Sequence, residues 1–156
     1  MQAIINGAWV DSSDKTTMNI TNPYTGKVIG KVPNCTEKDV NKAVSYAEKA
    51  QKKWAKVPVH QKVELVNKFL DLVQENRNDL AKTLCVETGK PITQAFAEID
   101  NVKISFTAFS ERAKHLYGAV IPAGTEAGQE NTLQFTQREP LGVIGVIIPF
   151  NLPIDL

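Results

Sequence analysis

The residues of this chain best suited to chemistry lie in one short stretch, Pro149-Phe150-Asn151-Leu152-Pro153, directly after the apolar run Leu141 to Ile148. An Asn carboxamide offers a fixed N–H donor, the kind of group that steadies negative charge developing on an oxygen. Taken alone, an Asn ahead of x-Pro reads first as a turn residue. The thiols point away from chemistry. Cys35 and Cys85 stand far apart with no CxxC pairing, so neither a disulfide framework nor a zinc site is expected, and both read as reduced structural thiols. His60 and His115 are lone histidines on helical stretches, so no metal is predicted; Glu87 reads as a charged surface residue.

Asn151 must be held by something, and the hydrophobic pattern says what. Leu141 to Ile148 does not alternate; its apolar, β-branched and Gly content fits a strand covered on both faces, as in parallel α/β sheets. Pro149 frees the chain from the ladder, and Pro153 suits a first helical turn, so Asn151 is expected at the carboxyl end of a strand, where open α/β sheets bind ligands. Such a strand needs neighbours, and no earlier segment supplies a parallel partner. Upstream, Asn6-Gly7 between short apolar pieces predicts a tight hairpin, and Met18–Thr21 with Lys27–Val32 predict a second one around Asn22 to Gly26.

From Thr36 the period becomes helical. Thr36 as N-cap with Asp39 in a near capping box opens a first helix whose face carries Val40, Ala43, Val44, Ala47 and Trp54. After Pro58 the stripe Val59, Val63, Val66, Leu70 and Val73 predicts a second helix to about Asn76. A third, with Leu80, Leu84 and Val86, ends where Gly89 supplies a left-handed position and Pro91 forbids continuation. The fourth and longest carries Ile99, Val102, Phe106, Phe109, Ala113 and Leu116 up to Gly118. Gly118–Gly124 and Asn131–Arg138 then predict an antiparallel ribbon with one face against something apolar.

Composition narrows the partners. Of the residues 42% are hydrophobic, and 18 basic against 17 acidic side chains leave a net charge of +1. A globular chain follows, with no basic block of the sort a nucleic acid or an anionic membrane surface attracts. The apolar run Leu141 to Ile148 falls far below the ~20 residues of a membrane helix. No secretory signal is recognised at the start, so a cytoplasmic location is expected.

The ordered motifs INGAWV, NPYTGKVIGKVP, ETGKP and REPLGVIGVIIPFNLPIDL resemble the N-terminal third of the NAD(P)-dependent aldehyde dehydrogenase superfamily. In that family an EP-x-GV-x-G strand leads into a P-[WF]-N-x-P turn, and Phe150 stands where many members carry Trp. The resemblance implies an α/β fold. Residues 1–117 would form β-ribbons and helices of the cofactor-binding domain, 118–140 an oligomerisation ribbon, and 141–156 the first strand and start of the first helix of a Rossmann-like parallel sheet. It implies that Asn151 is the oxyanion donor for a cysteine thiohemiacetal, and that Ile147, Ile148, Pro149, Phe150 and Asn151 line the nicotinamide half of an NAD or NADP site. It places Asn101, Ser105, Leu152 and Leu156 along the aldehyde tunnel, with core or surface roles equally open for each.

The family's nucleophilic Cys and general-base Glu lie beyond Leu156, so the chain is expected to be the N-terminal part of a homo-oligomeric (dimeric or tetrameric) aldehyde-oxidising enzyme and inactive alone. The second reading is a short non-catalytic interaction module that joins full-length subunits through the 118–140 ribbon. The aldehyde, and the choice between NAD and NADP, are not written in these residues.

Overall fold

The computed structural model describes residues 1–155. β1 (Ala3–Ile5) and β2 (Ala8–Val10) pair antiparallel with Ile4 opposite Trp9, across Asn6 and Gly7 at φ 55° and 74°. Both turn residues hold the positive φ that a primed hairpin requires. β3 (Thr17–Thr21) and β4 (Val28–Pro33) form the second ribbon. Its turn is knitted by the Asn22 carboxamide oxygen, which accepts the amides of Tyr24 (3.0 Å) and Thr25 (2.8 Å). Asn22 Nδ2 donates in turn to the carbonyl of Val86 at 2.8 Å, fixing this ribbon to the helices.

Four helices follow: α1 (Glu37–Trp54), α2 (Val59–Glu75), α3 (Arg77–Thr88) and α4 (Ile92–Ala113). At the head of α1 the Asp39 carboxylate accepts the backbone N–H of Ser13 (3.0 Å) and of Thr36 (2.9 Å) and the Thr36 hydroxyl (2.9 Å). These donors, the Ser13 amide foremost, hold the Asp39 pKa down from 3.8 to about 2. A carboxyl whose folded pKa lies below its unfolded one stabilises the fold above the unfolded value, and that contribution is lost as pH falls from about 4 to about 2. The chain and its Asp39→Asn variant are therefore expected to differ in urea midpoint near neutral pH and to converge within that acid window; a gap that stays constant down to about pH 2 contradicts this.

The core lies among α2, α3 and α4. Leu70, Val73, Ala81, Leu84, Ala95, Ile99 and Val102 are buried together, with Val66, Leu80, Cys85, Phe96 and Phe106 packed around them. Arg77 at the start of α3 grips Asp100 of α4 with two bonds of 2.6 Å and lies over the Phe96 ring. Gly89, at φ 76°, ends α3 in the left-handed conformation, and a Cβ there would sit 2.8 Å from Pro23 Cγ. Gly89→Ala is expected to lower stability by about 1–2 kcal/mol from the backbone conformation alone, with the Pro23 clash adding to it. An unchanged urea midpoint would show that neither constraint operates.

Several expectations are corrected. The α1 face of Val40, Val44 and Trp54 stays largely exposed, because it is bordered by the first hairpin, residues 142–144 and the Lys62 side chain over Trp54 rather than by a packed layer. Val86 faces a cleft shared with Ile20 and Ile29 of the second ribbon rather than the helical core. α4 ends at Ala113, short of Leu116, and Phe109 and Leu116 are exposed: the core closes around the earlier turns of α4 at Ala95, Ile99 and Val102, whereas the start of α2 leaves an open cleft beside Phe109.

The late ribbon is shorter than its pattern predicts. β5 (Val120–Ile121) pairs antiparallel with β6 (Gln134–Phe135), and Val120, Leu133 and Phe135 are exposed. Gly118 adjoins it so closely that a Cβ would meet the Thr136 carbonyl oxygen at 1.6 Å. The largest correction concerns Leu141 to Ile148, which forms no strand and is exposed throughout. A strand covered on both faces needs ladder partners and a layer on each side, and no described segment pairs with it.

Candidate functional site

Asn151 therefore sits on a turn with no β-structure leading to it, and its side chain is exposed. The turn is nonetheless anchored. Ile154 packs against the helical core, its amide donates to Glu98 Oε1 at 2.9 Å, and the Asn151 carbonyl accepts a hydrogen bond of 3.0 Å from Lys90 Nζ. Lys90 is ion-paired with the second oxygen of Glu98, whose side chain is 1% exposed. The sequence explains how these groups meet: Gly89 turns the chain out of α3, Lys90 follows it, and Pro91 starts α4 so that Glu98 lies on the helix above.

Between α4 and this turn lies a cavity of about 550 Å³ lined by Lys90, Gln94, Ala97, Glu98, Asn101, Asn151, Leu152 and Asp155. Asn101 Nδ2 bonds Asp155 Oδ2 and lies 3.3 Å from Ser105 Oγ. Asp155 Oδ1 is buried without a hydrogen-bond partner among the described residues. The arrangement offers amide and ammonium N–H donors together with carboxylate acceptors around a space large enough for a small organic molecule.

The fold thus brings together Asn101, Asn151 and Leu152 around one cavity, with Ser105 bonded at its edge. Ile147, Ile148, Pro149 and Phe150 lie on the exposed approach to Asn151, and Leu156 lies outside the described residues. Lys90, Glu98 and Asp155 escaped sequence reasoning. Glu98 carried a signal: a charged side chain between Ala95 and Ile99, on the helix that supplies the largest share of the core. Cys35 is exposed ahead of α1, and Cys85 packs against the core. Among the described residues no cluster of His, Cys, Asp and Glu could hold a metal, and no helix is long and apolar enough to cross a membrane.

Comparison with known proteins gives this geometry its context. The chain is 34% identical over 152 residues to a glutarate-semialdehyde dehydrogenase of Pseudomonas aeruginosa, covering 97% of this chain and 31% of that protein. It is 35% identical over 150 residues to malonate-semialdehyde dehydrogenase 1 of Bacillus thuringiensis, covering 96% and 30%. It thus spans about a third of the length of the curated relatives it matches. The crystal structure of an NADP-dependent glyceraldehyde-3-phosphate dehydrogenase from Bacillus halodurans, complexed with NADP, superposes with a TM-score of 0.93 at 29% identity, over 99% of this chain and 33% of that one. The sequence profile described as the aldehyde dehydrogenase family matches residues 9–156, and the chain belongs to that family.

Proposed function

We propose that these residues are the N-terminal part of an enzyme that oxidises an aldehyde to a carboxylate through a cysteine thiohemiacetal, with NAD or NADP as cofactor. The observation that carries this reading is the anchored turn that sets Asn151 on the rim of the α4 cavity beside Asn101 and Leu152. In the proposed reaction a cysteine thiolate adds to the carbonyl carbon, and the carbonyl π-electrons move to the oxygen, which becomes an alkoxide. The Asn151 carboxamide donates N–H to that oxygen, favouring the tetrahedral state over the flat aldehyde. Asn101, Ser105 and Leu152 border the path of the aldehyde.

The nicotinamide, when bound, supplies the hydride acceptor. Ile147, Ile148, Pro149 and Phe150 would hold it; they are uncharged, apolar and exposed, which fits a flat ring that must shed water. We assign 1–117 and 141–156 to the cofactor-binding part. The ribbon within 118–140, with Val120, Leu133 and Phe135 exposed, is assigned to contacts in a homodimer or homotetramer. The proposed location is the cytoplasm, where Cys35 and Cys85 stay reduced.

Neither thiol suits the nucleophile: Cys85 is spent on packing, and neither lines the cavity beside Asn151. The 156-residue polypeptide is therefore expected to generate no NADH or NADPH from any aldehyde, as followed by nicotinamide absorbance. A catalytically complete polypeptide carrying the same residues is expected to do so. Turnover by the pure 156-residue chain would overturn the assignment of the thiol, and its absence from the complete polypeptide would overturn the dehydrogenase reading.

A further inference from the structure

The Lys90–Glu98 pair is built for more than joining α3 to α4. A buried ion pair adds little net stability over apolar side chains of the same volume, so its presence in a well-packed helical layer calls for another role. The atoms left over after the pairing show one. Lys90 Nζ, with three protons to donate, satisfies Glu98 and also the Asn151 carbonyl at 3.0 Å, while the free oxygen of Glu98 takes the Ile154 amide at 2.9 Å. One ion pair thereby grips the turn at its beginning and its end, and the Ile154 side chain is seated on the core between them.

Resting on the reading of Asn151 as oxyanion donor, we propose that Lys90 and Glu98 are positioning residues: a charged clasp that fixes the backbone of residues 151–154 so that the Asn151 carboxamide stays at the cavity rim. Neither side chain touches the reacting atoms in this scheme. Their effect arises because a donor must already stand where the charge develops, and a displacement of about 1 Å costs about a hundredfold in rate. Among the described residues no strand pairs with Leu141 to Ile148, so in this chain the clasp, the Ile154 side chain and the Asn101–Asp155 bond fix the turn to the helices.

The test replaces the pair by apolar residues of similar volume, Lys90→Met with Glu98→Leu, which leaves no buried charge unpaired. In the 156-residue chain, hydrogen exchange at the Ile154 amide is expected to quicken about tenfold while the amide of Ile99, in the middle of α4, keeps its protection. In a catalytically complete polypeptide carrying these residues, kcat is expected to fall about tenfold with KM little changed, the signature of a lost transition-state contact. Lys90→Arg, which keeps a cation with several donors, is expected to retain much of the activity. A double variant with unaltered Ile154 exchange and unaltered kcat, in an enzyme that Asn151→Ala still cripples, overturns the clasp and leaves the role of Asn151 standing. A kcat indifferent to Asn151→Ala removes the oxyanion reading and the clasp with it, whatever the exchange rates.

Discussion

Asn151→Ala is expected to lower kcat by about two to three orders of magnitude, ~3 kcal/mol of barrier, in a catalytically complete polypeptide that carries this segment. The magnitude follows from what the substitution removes. In the ground state the aldehyde oxygen is a weak acceptor that water satisfies equally well; in the tetrahedral state it bears most of a negative charge inside a cavity from which water is being excluded. A donor fixed in advance contributes mainly to the second state, so the loss falls on kcat and kcat/KM together and leaves KM nearly unchanged. Asn151→Asp is a sharper probe, because it keeps the shape and replaces the donor by a carboxylate that repels the alkoxide. It should be at least as slow as the alanine variant. Steady-state kinetics with either cofactor decide the matter: a variant that raises KM and spares kcat would assign Asn151 to substrate binding and not to the chemical step.

The second large effect is on stability. Lys90→Met alone leaves the Glu98 carboxylate buried with no cation beside it, and at neutral pH this is expected to cost about 3–5 kcal/mol. Adding Glu98→Leu should recover most of that loss, because the penalty belongs to the uncompensated charge and not to the missing methylene contacts. Urea unfolding of the single and double variants measures both numbers. A single variant costing less than about 1 kcal/mol would mean that water reaches Glu98, as for an exposed pair.

The two experiments separate roles that one residue cluster combines. In the proposed scheme Asn151 acts in the reaction, while its exposed side chain adds almost nothing to the fold. Glu98 is the reverse in isolation: its removal is read first in folding, and only through the turn in catalysis. The relatives are named for glutarate and malonate semialdehydes, whereas the cavity here presents the carboxylates of Glu98 and Asp155 beside the ammonium of Lys90. The aldehyde therefore has to be found by assay rather than taken from those names.

What the sequence determined by itself was whatever depends on a few neighbouring residues. Asn6-Gly7 dictates its hairpin because both positions tolerate positive φ, Thr36 and Asp39 cap α1 within one turn, and Gly89 ends α3 wherever the chain places it. The stripes through Leu70, Val73, Ile99 and Val102 marked the buried faces, and the ordered motifs were enough to indicate the family. The tertiary structure decided what depends on groups distant in the chain: that Lys90 and Glu98 meet the Asn151 turn, that Asp155 meets Asn101, and that Phe109 and Leu116 stay exposed. It also left Leu141 to Ile148 without a ladder partner among the described residues. A helix closes its hydrogen bonds within its own segment, so its pattern predicts it; a strand must borrow its bonds from a neighbour, and β-branched composition cannot say whether that neighbour is there.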